Sequence, residues 1–406
     1  SACLFRCRKW KKFIIMLTAL RLEQIMQSTA NCFKNERIED NDKDPSWEGA
    51  LSTMIIVFAL AAVFIFGFLV AIHEVGHFLA ARLCGVRVNE FSIGMGPCLW
   101  HRETDETQYS IRLLPIGGFC ALEGQDEDSG DRRSFTRQSF WKKFVILSAG
   151  SFMNLLAGMI IIAMLFAGAS GFYVDQISGF SEGFPLEGES GLMVGDVFYK
   201  VDGWRTYLRG DAAMLLSFND GQGVDIEGIR NGKKIVLEDL PLYRGTYDGQ
   251  SGRFGLLIGE MQIPTSFLTK LRFIGYQTLD FIQQMWFSLV QLARGTMGVQ
   301  ELSGPVGIVS IITEVGTASE SAASAARDIA YFAALIAINL AVMNMLPIPA
   351  LDGGRIFFLL VDAAALLLFR RKVPEKWQAA VNAACFMLLM GMMALVTLHD
   401  VAKMIM

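Results

Sequence analysis

Four stretches of the chain are apolar over enough residues to cross a membrane as helices. Residues 54–72, 144–169, 329–351 and 377–398 contain no Asp, Glu, Lys or Arg. About 20 apolar residues in an α-helix span a hydrocarbon core of about 30 Å. The pattern therefore predicts a polytopic α-helical membrane protein with four transmembrane helices.

The pattern changes between the second and third stretches. Residues 172–263 alternate between apolar and polar positions and are rich in glycine, which is typical of short strands joined by tight turns. Three residue pairs that favour such turns lie there, namely Asp202-Gly203, Asn231-Gly232 and Asp248-Gly249. We expect one β-rich domain inserted between two membrane helices.

Residues 267–293 form a fifth apolar segment, but polar positions interrupt it. Lys270, Arg272 and Asp280 would each be costly at membrane depth. An amphipathic helix that lies at the membrane surface fits this composition better than a fifth span does.

Basic residues are concentrated in two connections between the apolar stretches. Nine Lys and Arg residues lie between positions 82 and 143, four more lie between 370 and 376, and none lies between 144 and 199. The positive-inside rule therefore places these two connections in the cytoplasm and residues 171–327 outside. Both ends of the membrane core would then face outward.

The overall composition agrees with this interpretation. Of 406 residues, 52% are hydrophobic and 19% are charged, whereas soluble proteins carry about 25% charged residues. The composition excludes a soluble globular enzyme, a disordered chain and a secreted disulfide scaffold. The net charge of −4 gives no reason to expect nucleic acid as a partner.

The candidate chemistry begins at the end of the first apolar stretch, with His73-Glu74-Val75-Gly76-His77. Residues four apart share a helix face, so both imidazoles can reach one metal ion. Glu74 is placed to act as a base on a water molecule rather than to bind the metal. The alternative is a pair of buried, hydrogen-bonded histidines, but three ionisable residues within a span are usually functional.

A zinc hydrolase needs three protein ligands, and Asp352 is the candidate for the third. It follows Pro347 and Pro349, which cannot continue a regular helix, and it precedes Gly353-Gly354. A helix broken at membrane depth is tolerated only where protein or a water-filled cavity surrounds it. The alternative is an ordinary Asp-Gly turn at the membrane surface.

Topology supports the pairing of these residues. With one span between them, the first and third apolar stretches run in parallel, so His73, His77 and Asp352 lie at the same depth. A fifth span at 267–293 would make the two stretches antiparallel and would move Asp352 to the opposite face. The basic connections then place the metal toward the cytoplasmic leaflet.

The chain resembles the site-2 protease family of intramembrane zinc metalloproteases over residues 54–406. The motifs that carry the resemblance are residues 73–77, 114–119, 149–154, 303–308 and 344–354. One departure is that the family often has Gly-Pro where this chain has Gly150-Ser151.

The resemblance implies a role for each of the candidate residues. Zn²⁺ would be held by His73, His77 and Asp352, Glu74 would be the general base, and Asn344 would help to hold the substrate backbone. Residues 191–198, followed by 201–203, resemble the characteristic stretch of a PDZ domain. There is room for one such domain.

The first basic connection also carries a pattern typical of strands. Apolar and polar residues alternate around 86–95 and 109–113, with glycines and prolines between them. A sheet edge that dips toward the metal would bind an extended peptide by strand addition, and Gly117 and Gly118 are its candidate substrate-binding residues. The resemblance implies the same element, a membrane-reentrant β loop. The alternative is a cytoplasmic hairpin with no role in substrate binding.

The predicted fold is thus a polytopic α-helical membrane protein with a membrane-reentrant β loop and one inserted PDZ domain. Its parts are an N-terminal extension (1–53), the first transmembrane helix (54–83), a cytoplasmic loop with the reentrant hairpin (84–143), the second transmembrane helix (144–170), the extracytoplasmic PDZ domain (171–263), an extracytoplasmic amphipathic helix and linker (264–328), the third transmembrane segment (329–369) and the fourth transmembrane helix (377–402). For 1–53 the alternatives are a segment foreign to the native protein and a basic helix at the membrane surface.

The resemblance also implies substrates and a location. The protein would cut transmembrane segments of single-span membrane proteins, such as anti-sigma factors and signal-peptide remnants, in regulated intramembrane proteolysis. It would be a multi-pass protein in the lipid bilayer of the bacterial inner membrane.

Two other functions are alternatives. One is a non-catalytic zinc-binding scaffold, but a scaffold would need no base such as Glu74 beside its metal ligands. The other is a transporter, but a transporter would need polar residues in several spans and an internal repeat, and the sequence has neither.

Overall fold

A computed structural model describes residues 45–125, 130–219, 223–247, 249–295, 304–319, 321–370 and 374–405. The described residues form two compact units, of which one contains residues 163–287 and the other contains residues 45–162 and 288–405. Most of the N-terminal extension, residues 1–44, lies outside the described residues, as does the predicted turn residue Asp248.

The helices account for the predicted membrane spans. In chain order they are α1 Pro45–Cys84, α2 Phe140–Ala167, α3 Asp211–Ser217, α4 Phe267–Ala293, α5 Pro305–Ala318, α6 Ala322–Met345, α7 Asp352–Phe369 and α8 Glu375–Ile405. Within the described part of the chain, α1, α2, α6 and α8 are the four helices that are long and apolar enough to cross a membrane. The four predicted spans agree with these helices, and α4 is not among them.

The membrane helices approach one another closely at small residues. A side chain at Gly76 of α1 would collide with the backbone carbonyl of Ala149 on α2. A side chain at Gly158 of α2 would lie 2.6 Å from Ile338 of α6. Small residues allow helix backbones to approach in this way, and packing of this kind holds membrane helices together where no hydrophobic effect drives their association.

The third apolar stretch is broken where two prolines predict it. Helix α6 ends at Met345 and α7 begins at Asp352, and between them Ala350 adopts a positive φ of 79°. Side chains at Gly353 and Gly354 would collide with backbone atoms of this short connection. The glycine pair is therefore needed so that α7 can start against the preceding turn.

Two long strands, β1 Val88–Glu103 and β2 Gln108–Leu122, follow α1. Phe91 of β1 pairs with Tyr109 near the start of β2 and with Cys120 near its end. Both strands are therefore sharply bent, and the two together form a small sheet. Residues 117–122 of β2 lie along the same sheet as 88–95 of β1. We name this element the hairpin.

The side chain of Arg112 connects residues on both sides of the bend in β1 by hydrogen bonds. The Arg112 guanidinium donates to Ser92 Oγ at 3.1 Å and to the Gly96 carbonyl at 3.0 Å. It also pairs with Glu90 Oε1 at 2.8 Å, and Ser92 is fully buried. Charge-assisted hydrogen bonds of this kind fix geometry, so the bend is held rigidly beside the strands.

The other unit is a sheet domain. Its strands are β3 Gly171–Phe180, β4 Val197–Val201, β5 Trp204–Arg205, β6 Val224–Arg230, β7 Lys233–Leu240, β8 Gly245–Tyr247, β9 Gln250–Arg253 and β10 Leu256–Pro264. The main sheet has the order β10-β3-β4-β6-β7, with β5 paired to β4 and with β8 and β9 as a separate pair. The predicted β-rich domain is thus present.

One tight turn and one ion pair fix loops of this domain. Asn231 and Gly232 have φ values of 51° and 76°, as the turn between β6 and β7 requires. The Asp196 carboxylate accepts two hydrogen bonds from Arg230, at 2.8 and 2.7 Å, and a third from the Met193 N–H at 2.8 Å. Hydrogen bonding to Asp196 raises the pKa of Arg230, so the pair stays ionised and fixes the loop before β4.

Helix α4 has two apolar faces with different surroundings. On one face, the ring of Phe273 stacks on Phe172 of β3 with the ring centroids 4.2 Å apart. On the other, Leu268, Leu271 and Trp286 are more than half exposed. One of the polar residues, Gln283, donates to the Arg205 carbonyl in β5 at 2.7 Å, and the exposed apolar face is suited to a membrane surface.

Candidate metal centre

Two histidines and one aspartate converge in the membrane unit. The Nε2 atoms of His73 and His77 lie 3.0 and 3.1 Å from Asp352 Oδ2 and 3.1 Å from each other. Their side chains are only 9%, 12% and 20% exposed. In the described part of the chain this is the only group of three or more His, Cys, Asp or Glu side chains close enough to share a metal ion.

The spacing of these three atoms fits a zinc ion. Zinc binds nitrogen and oxygen ligands at about 2.0–2.2 Å in a tetrahedron, which puts neighbouring ligand atoms about 3.3 Å apart. The three atoms form a nearly equilateral triangle with edges slightly shorter than this. An ion on one side of the triangle could keep one position open for water or substrate.

A backbone carbonyl fixes the orientation of the His77 ring. Its Nδ1 donates to the carbonyl oxygen of Ile146 on α2 at 2.8 Å. Because a carbonyl can only accept, the proton of the neutral ring lies on Nδ1 and the Nε2 lone pair points toward Asp352. Hydrogen bonds of this type orient the histidine ligands of metal sites.

A glycine on α2 leaves space beside the imidazoles. A side-chain carbon at Gly150 would lie 2.5 Å from His77 Nε2 and 2.6 Å from His73 Nε2. No real side chain could occupy that position without displacing the histidines. The absence of a side chain at Gly150 therefore keeps a small space open at the two nitrogen atoms that face Asp352.

Glu74 lies between the ligand cluster and the hairpin. Its carboxylate interacts with both histidines and with Asp352, and the backbone N–H of Cys120 on β2 donates to it. A side chain at Gly118 would lie 3.3 Å from the Glu74 Cγ and 2.9 Å from the Ser92 carbonyl. The strand reaches Glu74 this closely because residue 118 is a glycine.

The structure brings together most of the residues that the sequence singled out. His73, Glu74, His77 and Asp352 form one cluster, and Gly118 contacts it through Glu74. The neighbouring Gly117 has a φ of 90°, a conformation that favours glycine. Asn344 is half-buried in the last turn of α6, before the break, and its predicted contact with substrate stays a prediction.

Comparison with known proteins decides the family. A family model described as peptidase family M50 matches residues 61–392, which include the whole ligand cluster. The chain belongs to peptidase family M50. This is the site-2 protease family, and the resemblance predicted from the sequence is confirmed.

Individual relatives extend over nearly the same region. A protein of Clostridium perfringens whose name describes a zinc metalloprotease is 34% identical over 86% of this chain and 98% of its own length. Zinc metalloprotease RasP of Shouchella clausii is 27% identical over 85% of this chain and 98% of its own length. Membrane metalloprotease ARASP of Arabidopsis thaliana is 29% identical over 82% and 77%. This M50 protein is accordingly a zinc metalloprotease.

Some contributors to the site have no clear signal in the sequence. The carbonyl of Ile146 and the N–H of Cys120 are backbone groups, which every residue carries. Gly150 and Asn154 were seen only as part of a family motif. Their spacing is a signal that could have singled them out, because residues four apart on α2 can face the two histidines four apart on α1.

Proposed function

We propose that this M50 protein is an intramembrane endopeptidase that cuts transmembrane segments of single-span membrane proteins, such as anti-sigma factors and signal-peptide remnants, in regulated intramembrane proteolysis. The observation that carries the proposal is the position of the ligand cluster. His73, His77 and Glu74 lie in a helix apolar enough to span a membrane, and Asp352 starts the helix after a break in another such segment. Ionisable residues at such depth are usually functional.

We assign the roles at the site from its geometry. His73, His77 and Asp352 would hold Zn²⁺, because their ligand atoms have the spacing of a tetrahedral site. A zinc ion held there would supply a water of lowered pKa and a positive charge beside the substrate carbonyl. Glu74 takes the proton from the attacking water and then delivers it to the leaving amine. The Cys120 N–H keeps the carboxylate in place while it does so.

The hairpin is the proposed substrate platform. A transmembrane helix hides its peptide bonds in internal hydrogen bonds, so a substrate must be extended before it is cut. Residues 117–122 form a strand beside Glu74, and an extended peptide that paired with this strand would lie next to the cluster. Gly117 and Gly118 would line that path. Asn344 would hold the substrate backbone from the end of α6.

Exposed side chains support the reentrant position of the hairpin. Seven of its large apolar residues are 44–63% exposed, namely Ile93, Met95, Leu99, Trp100, Ile111, Leu113 and Leu114. Exposed apolar surface of this extent indicates contact with lipid or with another protein. We therefore propose that the hairpin dips into the membrane from the cytoplasmic side.

Replacing Gly118 by alanine tests the platform. The added carbon would push the strand away from Glu74 or from Ser92, so we expect kcat/KM to fall by about 10–100-fold while the zinc content is unchanged. Gly179→Ala is the control, because a side chain there makes only ordinary contacts in a strand of the sheet domain. Full activity of Gly118→Ala would contradict the proposed closeness of strand and base.

The sheet domain, residues 171–263, is proposed to be an extracytoplasmic PDZ domain that screens substrates. Its support is the resemblance of residues 191–198, where Asp196 and Arg230 fix the loop before β4. The alternative is a domain that blocks access and binds nothing.

The positive-inside pattern supports a multi-pass orientation in the bacterial inner membrane with the site toward the cytoplasmic leaflet. Labelling of introduced cysteines with a membrane-impermeant thiol reagent checks that orientation.

A cleavage assay in lipid vesicles tests the function. The purified protein is combined with a single-span membrane substrate, with a version that carries a large folded outer domain, and with a soluble unfolded protein. We expect cleavage within the span of the first substrate, loss of cleavage after zinc is removed by a chelator, and recovery when Zn²⁺ is added back. The substrate with the large domain should be cut slowly. Cleavage that persists without metal, or that occurs only in the soluble protein, would overturn the proposal.

A further inference from the structure

The two candidate histidine ligands have different partners at their second ring nitrogen. His77 Nδ1 donates to a backbone carbonyl, which fixes its tautomer. His73 Nδ1 instead lies 3.3 Å from Asn154 Nδ2 on α2. Asn154 is 1% exposed, and within the described part of the chain its Oδ1 is buried and has no hydrogen-bond partner. A buried amide oxygen without a partner is destabilising, because it has lost its hydrogen bonds to water and gained none in return.

The carboxamide of Asn154 can serve either tautomer of His73. Asp352 Oδ2 is a carboxylate oxygen 3.0 Å from His73 Nε2, and their hydrogen bond needs the proton on Nε2. Nδ1 then accepts from the amide nitrogen, which is the end of the side chain that faces it. A metal ion at Nε2 needs the opposite tautomer, with the proton on Nδ1 and an acceptor facing it.

We infer that Asn154 is a positioning residue that turns its carboxamide to match the tautomer of His73. When Zn²⁺ is held at Nε2, the amide oxygen accepts from Nδ1–H, and the buried oxygen gains the partner that it otherwise lacks. The imidazole keeps a single proton throughout, which moves from Nε2 to Nδ1 by exchange with water. The inference rests on the proposed metal site. It adds to that site the residue that holds His73 in the tautomer whose Nε2 can bind a metal.

Two substitutions at residue 154 separate this role from simple packing. Asn154→Leu has a similar size but can neither donate nor accept, whereas Asn154→Asp can only accept and therefore favours Nδ1–H. Carboxylate partners of this kind support many histidine ligands of zinc. The matched control is Asn339→Leu, because Asn339 on α6 is another asparagine in a membrane helix with a buried Oδ1.

The experiment measures zinc affinity of the full-length protein by competition with a chromophoric chelator. We expect Asn154→Leu to bind zinc about 10–100-fold more weakly than the unmodified protein, as is typical when the partner of a ligand is lost. Asn154→Asp should bind zinc at least as tightly as the unmodified protein, and Asn339→Leu should bind it equally. Thermal unfolding with zinc removed is measured in parallel, and similar unfolding temperatures show that the variants are folded.

Several results would overturn the inference. Equal affinity of Asn154→Leu and the unmodified protein would show that His73 needs no partner at Nδ1. Weaker zinc binding by Asn154→Asp as well as by Asn154→Leu would show that only the packing of the carboxamide matters. Asn154→Asp gives this answer even if Asn154→Leu does not fold. A separate result, the absence of zinc binding by the unmodified protein, would overturn the metal site itself and this inference with it.

Discussion

Replacement of Glu74 by glutamine is expected to slow peptide-bond cleavage by at least about 10²–10⁴-fold while zinc remains bound. Glutamine has nearly the same shape and can still accept from the Cys120 N–H, so the hairpin keeps its position beside the site. What it lacks is the ability to take a proton from water. The ligand atoms of His73, His77 and Asp352 are unchanged, so the zinc content should not fall. The assay combines metal analysis with cleavage of a single-span substrate in vesicles.

The control for this variant is Glu106→Gln. Glu106 is an exposed carboxylate that pairs with Arg82 and Arg133 at the surface. Its replacement by glutamine removes the same negative charge, but away from the metal site and from an ion pair that contributes little to stability. We expect this control to cleave at close to the normal rate. Cleavage by Glu74→Gln at the rate of the control would show that another group takes the proton, and the assigned mechanism would be wrong.

Replacement of Gly150 by alanine is expected to weaken zinc binding strongly and to slow cleavage with it. The added carbon would lie 2.5–2.6 Å from the Nε2 atoms of His77 and His73, which is far inside van der Waals contact. The imidazoles must then rotate or α2 must move away from α1, and either change separates the three ligand atoms. We expect zinc affinity to fall by at least about 100-fold, because a partner that only orients a ligand already accounts for 10–100-fold. Equilibrium dialysis against buffered Zn²⁺ measures the change.

A second glycine in a membrane helix gives the matched control for this prediction. A side chain at Gly391 on α8 would meet nothing within 4 Å, so Gly391→Ala adds the same methyl group at no steric cost. Alanine also favours the helix over glycine by up to about 1 kcal/mol. The control should bind zinc normally. Normal zinc binding by Gly150→Ala would instead mean that the metal lies away from α2.

The sequence predicts those parts of the site that depend on local periodicity. His73 and His77 are four residues apart, so any helix brings their side chains to one face. Asp352 could be paired with them because two prolines mark the break and because one intervening span makes the two segments parallel. The four spans follow from length and apolar character alone, and the structure agrees with them.

Other features depend on contacts between residues that are distant in the chain. Residues 264–328 were expected to hold an amphipathic helix and a linker, but they also contain α5. The start of α5 is stabilised by Asp400, near the end of α8, whose carboxylate accepts from the N–H groups of Gly304 and Gly307 at 2.9 Å each. A capping group almost 100 residues away leaves no local signal, whereas an N-cap serine beside the helix would.

The position of Asp352 has a consequence for the stability of the membrane unit. Its partner His73 is 279 residues earlier in the sequence, so a metal ion held between them closes a loop of most of the chain. Binding to the folded state alone stabilises that state by about 4 kcal/mol when free zinc exceeds the dissociation constant 1,000-fold. The ion would thus fasten α1 to the break between α6 and α7, and the protease would become both active and more resistant to unfolding in the same event.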